Sequence, residues 1–412
     1  MKVLAINCGS STLKFQLFEL EQSEGGYGQE RRLASGLVDK IGAQGSLEFI
    51  VEGGESLREV ATLSDQGQAT RRVLEWLGSS GPLETGGLAA VGHRIVHGGN
   101  RFTEATIIDE EVLRAIETVS ELAPLHNEPA LRAIYAAGEV LGSGVPMVAV
   151  FDTAFHRTLP REASEYPIPT DLAAKHHIRR YGFHGIAHRY MTERYSIIAS
   201  TPLEQVKLVT LQLGNGCSVT AVKGGRSVDT SMGFTPLEGL MMGTRSGDID
   251  PSLPGFLVDR EGVGLEEVEG WLNKQSGLLG VSGRSRDMRE LLELEGQGDV
   301  RAALAVEMFC YRVRKYIGAY LNVLGGTDAV VFGGGIGENA ASVRGRICGG
   351  MEWCGLVLDQ DRNTATIGSE ERISMDEAKI HAYVIPVDEA VIVARDTFSC
   401  LHSHRDVKRT RI

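Results

Sequence analysis

The sequence predicts an α/β protein assembled from two similar halves. Short apolar runs that end at polar or glycine-rich residues, as at 147–151, 208–213 and 329–332, alternate with helical segments. This alternation is typical of α/β folds, in which ligands bind where strands end. There is also a coarse repeat: Lys2–Gly9, a strand running into Asn-Cys-Gly, is echoed by Lys207–Ser218, a strand running into Gly-Asn-Gly-Cys-Ser. A length of 412 residues leaves room for the two domains that such a repeat requires.

The first strand and the turn that follows it begin this pattern. Residues 3–6 are apolar, and Leu13, Phe15 and Leu17 alternate with polar or mixed residues, as in a half-buried strand. Between the two strands lie a glycine and three hydroxyl residues, with Lys14 just beyond. The stretch has two interpretations: a plain polar turn, or a cradle of amides, hydroxyls and an ammonium group for a phosphate. It is not a Walker loop, because that spacing is absent and a strand follows in place of a helix.

Two helices are predicted from periodicity and end signals. Residues 109–122 begin with three acidic residues, carry apolar side chains on one face and end before Pro124. Residues 302–324 form the longest apolar stretch, but they contain charged side chains and are followed by Gly325 and Gly326. A long buried helix is therefore expected here, and not a membrane span.

Composition limits the classes of partner. The net charge of −12 argues against nucleic acid, whose phosphate backbone requires a basic face, but it leaves open a small anionic substrate in a local positive pocket. Six scattered cysteines without a C-x-x-C pair favour a reducing cytoplasm over a disulfide framework or a zinc site. No signal peptide is predicted at the N-terminus. The basic residues Arg405, Lys408, Arg409 and Arg411 are expected to form a solvated or disordered end.

Four dense stretches carry charged or polar side chains, three of them among glycines and one, with Asp152, at the end of an apolar strand. They are Gly-His-Arg-Ile-Val-His-Gly-Gly from Gly92, Phe-Asp-Thr-Ala-Phe-His from Phe151, Tyr-Gly-Phe-His-Gly from Tyr181, and Met-Gly-Thr-Arg-Ser-Gly-Asp-Ile-Asp-Pro from Met242. Each alone has a simple structural explanation, since a buried histidine is usually satisfied by hydrogen bonds and Arg245 could pair with Asp248 or Asp250. Together these residue types suit phosphoryl transfer, which needs neutralised phosphoryl charge and Mg²⁺ held by carboxylates or amides.

In their order along the chain, these motifs resemble those of the acetate/propionate kinase family. The resemblance runs from residue 7 to beyond residue 389 and includes Asn-x-Gly-Ser-Ser-x-x-Lys-Phe and Leu-Gly-Asn-Gly. It implies duplicated ribonuclease-H-like domains of the actin/hexokinase ATPase type, forming a two-lobed clamshell. It also implies an N-terminal lobe of residues 1–151 plus 390–412 and a C-terminal, nucleotide-binding lobe of residues 152–389.

The function that this resemblance implies is that of an acetate kinase. Such an enzyme transfers the γ-phosphoryl group of ATP reversibly to acetate, giving acetyl phosphate and ADP, with Mg²⁺ or Mn²⁺ as cofactor. The resemblance further implies a cytoplasmic homodimer without nucleic-acid or membrane partners. The alternatives are a kinase for propionate or another short-chain carboxylate, and a non-catalytic ATP-binding regulatory protein of the same fold.

The resemblance also implies a role for each matching residue. The metal is assigned to Asn7 and Glu389, and catalysis to Asp152, His184 and Arg245. The substrate is assigned to Arg94, which would bind the carboxylate, and to an apolar pocket of Val96, Leu125, Phe183 and Pro236. The nucleotide is assigned to Ser10, Thr12, Lys14, Gln212, Leu213, Gly214, Asn215, Gly216, Asp287, Met288, Arg289, Gly335, Ile336, Gly337, Glu338 and Asn339.

At three positions, either the residue or the chemistry differs from the family pattern. Asp152 matches the family's catalytic acid/base, but a carboxylic acid substrate with a pKa of about 4–5 is already ionised at neutral pH and has no proton to lose. We therefore expect Asp152 to orient Mg²⁺-bound water or Arg94. Gln212 replaces a family histidine; its amide can donate a hydrogen bond as neutral imidazole does, but it cannot become cationic. Glu128 is a further departure, and it adds charge near the expected acyl pocket.

Overall fold

The structure is a computed structural model that describes residues 1–23, 26–83, 87–120 and 124–409, with the side chains at 22, 23, 26–28, 124–126 and 405–409 left out of the description. The basic side chains predicted to form a solvated end lie outside the described part. The chain separates into two compact units. The first unit is Met1–Ala154 together with the segment from Asp388 onward, and the second is Phe155–Val387.

The first unit is built on one sheet. Its strands are β1 Lys2–Cys8, β2 Thr12–Ser23, β3 Gly26–Asp39, β4 Gln44–Val51, β5 Ser56–Thr62, β6 Ala90–Ile95, β7 Thr106–Ile107 and β8 Met147–Phe151. Over the described ranges these eight strands have the order β5-β4-β3-β2-β1-β6-β8-β7. Strands β1, β6 and β8 are parallel to one another, whereas β1 to β5 form an antiparallel meander. The three parallel strands therefore end at the same edge of the sheet.

In the described part of the first unit, the strands are connected by three helices: α1 Gln66–Ser79, α2 Glu110–Val119 and α3 Pro124–Leu141. Helix α2 confirms the helix predicted at this position, and the Asp109 side chain caps it by accepting a hydrogen bond from the Val112 amide. It ends at Val119, and Pro124 begins the next helix, a position where the missing amide of proline costs nothing.

The second unit repeats the same sheet. Its strands are β9 Lys207–Leu213, β10 Cys217–Lys223, β11 Arg226–Thr230, β12 Ala329–Gly333, β13 Glu371–Arg372 and β14 His381–Val384. In the described part they have the order β11-β10-β9-β12-β14-β13, with β9, β12 and β14 parallel. The order β3-β2-β1-β6-β8 thus recurs as β11-β10-β9-β12-β14, which confirms the predicted α/β fold with duplicated domains.

The helices of the second unit are α4 Arg161–Ser164, α5 Thr170–Lys175, α6 Gly185–Ile198, α7 Leu253–Glu261, α8 Leu265–Lys274, α9 Gly277–Ser282, α10 Met288–Gly296, α11 Val300–Leu324, α12 Gly334–Asn339, α13 Ala341–Cys348 and α14 Gln360–Ala365. Short 3₁₀ segments occur at Gly142–Gly144, Ala154–Thr158, Leu203–Gln205 and Glu352–Cys354. Helix α11 confirms the predicted long buried helix, and it ends where Gly325 takes a left-handed conformation with φ of 63°.

The last helix, α15 Glu389–Arg409, belongs to the first unit and packs against β1, β6 and β8. A Cβ atom at Gly92 would lie 2.2 Å from the Thr397 hydroxyl oxygen and 2.8 Å from a Val393 methyl carbon, so only glycine allows this close approach. Across the described residues, no helix combines the length and the apolar character needed to span a bilayer.

Candidate active site

In the first unit, three predicted residues, one each for metal, substrate and catalysis, meet at the carboxyl ends of the parallel strands. Asn7 lies near the end of β1, Arg94 near the end of β6, and Asp152 directly after β8. Adjacent parallel strands present their carboxyl ends at one sheet edge, which is where α/β proteins bind ligands. The fold therefore brings together residues that are 58 and 87 positions apart in the sequence.

Arg94 is the centre of this cluster. Its Nε and Nη2 groups donate to the two carboxylate oxygens of Asp152, with Nε 3.1 Å from Oδ1. Its Nη1 group donates to the Asn7 side-chain oxygen over 3.1 Å. Since a guanidinium has five N–H hydrogens and these bonds to described residues use three, two remain for a ligand. Arg94 is thus held in place while it keeps binding capacity.

A second carboxylate, Glu389, completes the charge balance around Arg94. The Asn7 amide nitrogen donates to Glu389 Oε2 over 2.9 Å, and the same oxygen lies 3.8 Å from Arg94 Nε. The side chains of Asp152 and Arg94 are only 1% and 14% exposed. Burial alone would lower the pKa of Arg94, but the negative charges of Asp152 and Glu389 outweigh it and raise that pKa. The guanidinium therefore stays cationic.

Sheet geometry explains why Glu389 reaches this cluster. Gly92 and Arg94 are two residues apart on β6 and therefore point to the same face of the sheet. That face is covered by α15, which approaches closely at Gly92, and Glu389 is the first residue of α15. The helix thus delivers its first carboxylate beside the Arg94 side chain.

The turn between β1 and β2 is the stretch whose sequence has two interpretations, a plain polar turn or a phosphate cradle. The Gly9 amide donates to the Thr12 carbonyl over 2.8 Å, which closes the turn. Ser10 and Lys14 are exposed, and no described carboxylate forms an ion pair with Lys14. Lys14 lies directly opposite Asn7 in the hairpin, so the two side chains share one face.

This turn is held by a residue that no sequence motif indicated. The Gln66 side-chain amide, at the start of α1, donates to the Gly9 carbonyl over 3.2 Å and to the Ser10 carbonyl over 2.8 Å. No local pattern in the sequence links a glutamine to a turn 56 residues earlier.

The expected acyl-pocket residues are divided between the units. Val96 is half-buried just beyond β6 in the first unit, and Leu125 lies at the start of α3, where its side chain falls outside the described ones. Asn127 joins these segments, since its side chain exchanges two hydrogen bonds with the His97 backbone over 3.0 and 3.1 Å. Glu128 is exposed and lies 3.7 Å from Arg132, so its charge is directed to solvent.

In the second unit, the predicted nucleotide residues also follow parallel strands. The turn after β9 is closed by a 3.1 Å hydrogen bond from the Gly214 amide to the Gly216 carbonyl. After β12, Gly334 has φ of 74°, and a Cβ there would lie 2.7 Å from the Leu213 carbonyl oxygen, so glycine is required. The Glu338 carboxylate accepts from the amides of Gly334 and Val387 over 2.8 and 3.0 Å, which fixes this glycine-rich segment.

Arg344 is another residue of this region that no sequence motif indicated. It is fully buried and donates to the carbonyls of Gly337 and Glu338 over 2.9 and 3.0 Å, and to Asn363 and Thr366. Burial lowers its pKa to about 10. A cation without a described acidic partner therefore anchors the end of α12, which carries Ile336, Gly337 and Asn339.

The predicted catalytic residues of the second unit lie close together. A Cβ atom at Gly216 would lie 3.4 Å from His184 Nε2 and 3.6 Å from Arg245 Nη1. The Gly243 amide donates to the Asn215 carbonyl over 3.0 Å, which joins the loop of Arg245 to the turn after β9. His184 has a left-handed backbone conformation with φ of 56°, which is uncommon for a residue other than glycine.

Arg245 has no ion pair with any described residue. Its Nη1 group donates to the Pro236 carbonyl over 3.2 Å. Asp248 instead accepts from the Gly239 amide and the Tyr316 hydroxyl, and Asp250 accepts from the Ser252 amide. Burial lowers the pKa of Arg245. The structure thus presents a half-buried cation whose charge is not neutralised, which is the electrostatic environment that an anionic ligand requires.

The remaining predicted residues occupy supporting positions. Phe183 is 1% exposed, and its carbonyl accepts from His156 Nε2 over 3.0 Å. Asp287 caps α10, and its carboxylate pairs with the exposed guanidinium of Arg289 over 2.6 Å. Met288 is buried.

None of the described residues forms a cluster of three or more histidine, cysteine or acidic side chains that could hold a metal unaided.

The duplicated α/β fold, with cations and glycine-rich turns at the carboxyl ends of both sets of parallel strands, suits a phosphotransferase. The chain belongs to the acetokinase family, whose sequence pattern matches residues 2–395. It is accordingly an enzyme that transfers a phosphoryl group to a carboxyl group.

Sequence and structure comparisons agree on this family. The chain is 49% identical to the acetate kinase of Solibacter usitatus, over 97% of this chain and 98% of the relative. It is 47% identical to the acetate kinase of Methanosarcina thermophila, over 96% of each. Its fold is similar to that of Porphyromonas gingivalis acetate kinase, with a TM-score of 0.87, 40% identity, and coverage of 97% of this chain and 99% of that one. A propionate kinase from Francisella tularensis also has a TM-score of 0.87, with 38% identity and coverage of 96% and 98%.

Proposed function

We propose that this chain is an acetate kinase that catalyses reversible, Mg²⁺-dependent transfer of the ATP γ-phosphoryl group to acetate, giving acetyl phosphate and ADP. The observation that carries this proposal is the hydrogen bonding of Arg94, which is held by Asp152 and Asn7 but keeps two N–H groups for a ligand. Its two remaining N–H groups match the two oxygens of a carboxylate, and Asp152 holds the guanidinium rigidly by two hydrogen bonds. Arg94 therefore binds and orients the acid.

The donor set beside Arg94 suits Mg²⁺. That ion binds hard oxygen ligands, usually one or two carboxylates together with water and substrate phosphates. Asn7 Nδ2 is 2.9 Å from Glu389 Oε2, and Asn7, Glu389 and Asp152 all lie beside the Arg94 guanidinium, so an amide oxygen and two carboxylates are close together. Asn7 and Glu389 would hold the ion, and Asp152 would orient its water. When bound, Mg²⁺ neutralises phosphate charge.

We assign to Arg245 and His184 the stabilisation of negative charge on the transferred phosphoryl group. Both present side-chain nitrogens to the turn at Gly216, and Arg245 has no described acidic partner. In phosphoryl transfer most of the catalytic effect comes from positioning and from stabilising charge on the equatorial oxygens. The donor phosphates are assigned to Ser10, Thr12 and Lys14, and the nucleotide to the turns after β9 and β12 and to the start of α10.

An assay with a panel of acids and donors tests this function. The purified protein is given acetate, propionate and butyrate with ATP, GTP or pyrophosphate, with Mg²⁺ or with a chelator, and acyl phosphate is trapped as the hydroxamate. Acetate with ATP and Mg²⁺ should give the highest kcat/KM, and the chelator should abolish turnover. ATP binding without turnover of any acid would identify the non-catalytic alternative.

A propionate kinase is the second candidate, because a propionate kinase is among the structures that this fold matches. Acetate and propionate differ by one methylene, which contributes at most about 0.8 kcal/mol when it is fully buried. A higher kcat/KM for propionate than for acetate in the same assay would establish this alternative.

Val96→Ala should shift the preference toward longer acids. Val96 is half-buried two residues after Arg94, so we expect it to limit the space beyond a carboxylate bound there. Removing two methyl carbons should raise the ratio of kcat/KM for butyrate to that for acetate by about tenfold, the effect of one or two accommodated methylenes. Val145→Ala, at another half-buried valine of the first unit, is the matched control. An unchanged ratio in Val96→Ala would place Val96 outside the acyl pocket.

Gln212→His should change kcat with ATP by less than about tenfold, or about 1.4 kcal/mol. Gln212 lies near the end of β9, and its buried side-chain oxygen has no hydrogen-bond partner among the described residues. Its amide group can replace an imidazole N–H as a donor, so the order of phosphoryl donors should not change. Steady-state kinetics of the variant and the wild type with ATP, GTP and pyrophosphate measure both kcat and the order of donors. A much larger gain with ATP would show that Gln212 sets the donor preference.

We also propose that the protein acts as a cytoplasmic homodimer. Helix α7 has no buried residue, and it exposes Leu253 and Phe256 to 41% and 54%, which supports an interface with a second copy. Light scattering with size-exclusion chromatography determines the mass in solution. A mass close to the 44.5 kDa of one chain would overturn the dimer.

A further inference from the structure

Four side chains of the second unit, beginning with His184, form a hydrogen-bonded chain. His184 Nδ1 is 2.9 Å from the Ser218 hydroxyl oxygen. The same oxygen is 2.7 Å from His188 Nε2, and His188 Nδ1 is 2.8 Å from the Thr210 hydroxyl oxygen. Ser218 lies on β10, Thr210 on β9 and His188 one turn after His184 on α6, so three elements of the fold form the chain.

The buried part of this chain carries no net charge. Ser218, His188 and Thr210 are fully buried. Burial, together with His156 and His184, lowers the pKa of His188 well below its usual value, so its ring is neutral at physiological pH. A neutral imidazole has one N–H and one acceptor nitrogen, and both His188 nitrogens face hydroxyl groups. The proton on His188 therefore fixes the direction of every other hydrogen bond in the chain.

The distances around Thr210 favour one direction. Its hydroxyl oxygen is 2.8 Å from His188 Nδ1 but 3.4 Å from the Thr220 carbonyl oxygen. Hydroxyl hydrogen bonds are strongest near the shorter distance and weak at the longer one. The Thr210 proton thus goes to His188 Nδ1, and the His188 proton must lie on Nε2.

We propose that Thr210, His188 and Ser218 are positioning residues that hold His184 in the neutral tautomer protonated on Nε2. The His188 Nε2–H donates to the Ser218 oxygen, and the Ser218 hydroxyl donates to His184 Nδ1. His184 then keeps its own proton on Nε2, the nitrogen that faces the turn at Gly216 beside Arg245. Each donor in this series thus lies farther from His184 Nε2 than its acceptor does. The phosphoryl group is expected beside His184 Nε2, and this expectation rests on the proposed function.

This arrangement makes His184 a hydrogen-bond donor without a second positive charge. A cationic His184 would be repelled by the Arg245 guanidinium, whose Nη1 approaches the same point as His184 Nε2. A neutral Nε2–H avoids that repulsion and is oriented before the ligand arrives, so little reorganisation is needed during the reaction. In the opposite tautomer, Nε2 would carry a lone pair and would repel a phosphoryl oxygen.

The protonation of His184 can be measured directly by ¹⁵N NMR on protein labelled at its histidine ring nitrogens. The chemical shift separates a protonated from an unprotonated nitrogen, and the signals missing from His184→Gln identify His184 among the eleven histidines. The proposal requires that in the wild-type protein at pH 7.5 Nε2 is protonated and Nδ1 is not. A protonated Nδ1 with a bare Nε2 would overturn it. This measurement does not depend on enzyme activity, so it can fail while the proposed function stands.

Ser218→Ala tests how much the hydrogen-bonded side chains behind His184 contribute to turnover. Loss of the hydroxyl should let the His184 proton move between the two nitrogens, shift its ¹⁵N signals to averaged values, and lower kcat about tenfold to a hundredfold with KM for ATP nearly unchanged. Ser374→Ala is the matched control, because Ser374 is also a buried serine whose hydroxyl lies 3.1 Å from a histidine nitrogen, that of His381. It should leave kcat and the His184 signals unchanged. The proposal fails if Ser218→Ala leaves them unchanged too.

Discussion

Arg245→Ala is expected to lower kcat about a thousandfold or more, because an arginine that contacts the transferred phosphoryl group acts mainly in the transition state. The structure supports a large effect, since Arg245 is half-buried without an ionic partner among the described residues. Its removal leaves no carboxylate unpaired, so the stability of the fold should change little. KM for ATP should rise much less than kcat falls. Steady-state kinetics with saturating acetate and variable ATP measure both constants.

Two further variants make the result for Arg245 specific. Arg226→Ala removes an exposed arginine of the same unit and should leave kcat unchanged. Arg245→Lys keeps the charge but not the planar, five-donor guanidinium, and it should recover only part of the lost activity. If kcat of Arg245→Ala stays within about tenfold of the wild type, a step other than stabilisation of phosphoryl charge limits the rate, or Arg245 lies outside the site.

Arg94→Ala is expected to raise KM for acetate about a hundredfold or more, because it removes two charge-assisted hydrogen bonds to the acid, each contributing about 1.5–3 kcal/mol. It should also lower the free energy of unfolding by about 3–5 kcal/mol, because it breaks the buried ion pair between Arg94 and Asp152. Kinetics at low temperature measure KM on folded protein. Urea unfolding of the variant and the wild type measures the loss of stability.

The control for Arg94 is the arginine–carboxylate pair that joins Arg395 to Glu30 in the same unit. Arg395 also donates two hydrogen bonds to one carboxylate, over 2.7 Å each. Arg395→Ala should therefore lower stability while KM for acetate stays near the wild-type value. Asp152→Asn should retain the shape of the Arg94 partner but lose its charge, and it should lower kcat through misplacement of the guanidinium. A normal KM for acetate in Arg94→Ala would exclude Arg94 from acid binding.

Sequence patterns predicted those strands and helices whose burial follows a simple pattern along the chain. The run 147–151 is apolar throughout because β8 runs parallel to β6 and successive residues on both of its faces are buried, and its predicted and observed bounds agree. The meander from β3 to β5 was missed because it carries charged residues on its exposed face, such as Arg58 and Glu48. Its alternation is interrupted by irregularities in the pairing of β2 with β3.

In the candidate site, too, sequence patterns indicated individual residues but not their contacts. Local motifs indicated Arg94, Asp152 and Arg245, but the partner of each arginine depends on contacts that the motifs do not encode. Arg245 has two aspartates within five residues, yet both are occupied by backbone amides and Tyr316, whereas Asp152 lies 58 residues from Arg94 and pairs with it. Ser218 was predicted only as part of the repeat, and nothing in its neighbourhood pointed to the two histidines that it joins.

The membership of α15 in the first unit has a consequence for synthesis on the ribosome. Residues up to Ala154 emerge early, but the helix that covers one face of β1 and β6 follows only after the whole second unit, which at about 5–20 residues per second takes on the order of ten seconds or more. During this interval the nascent sheet exposes an apolar face to chaperones, and Arg94 lacks Glu389. A chain that terminates before Glu389 therefore releases an incomplete first unit, and that exposed face is what a quality-control protease would recognise.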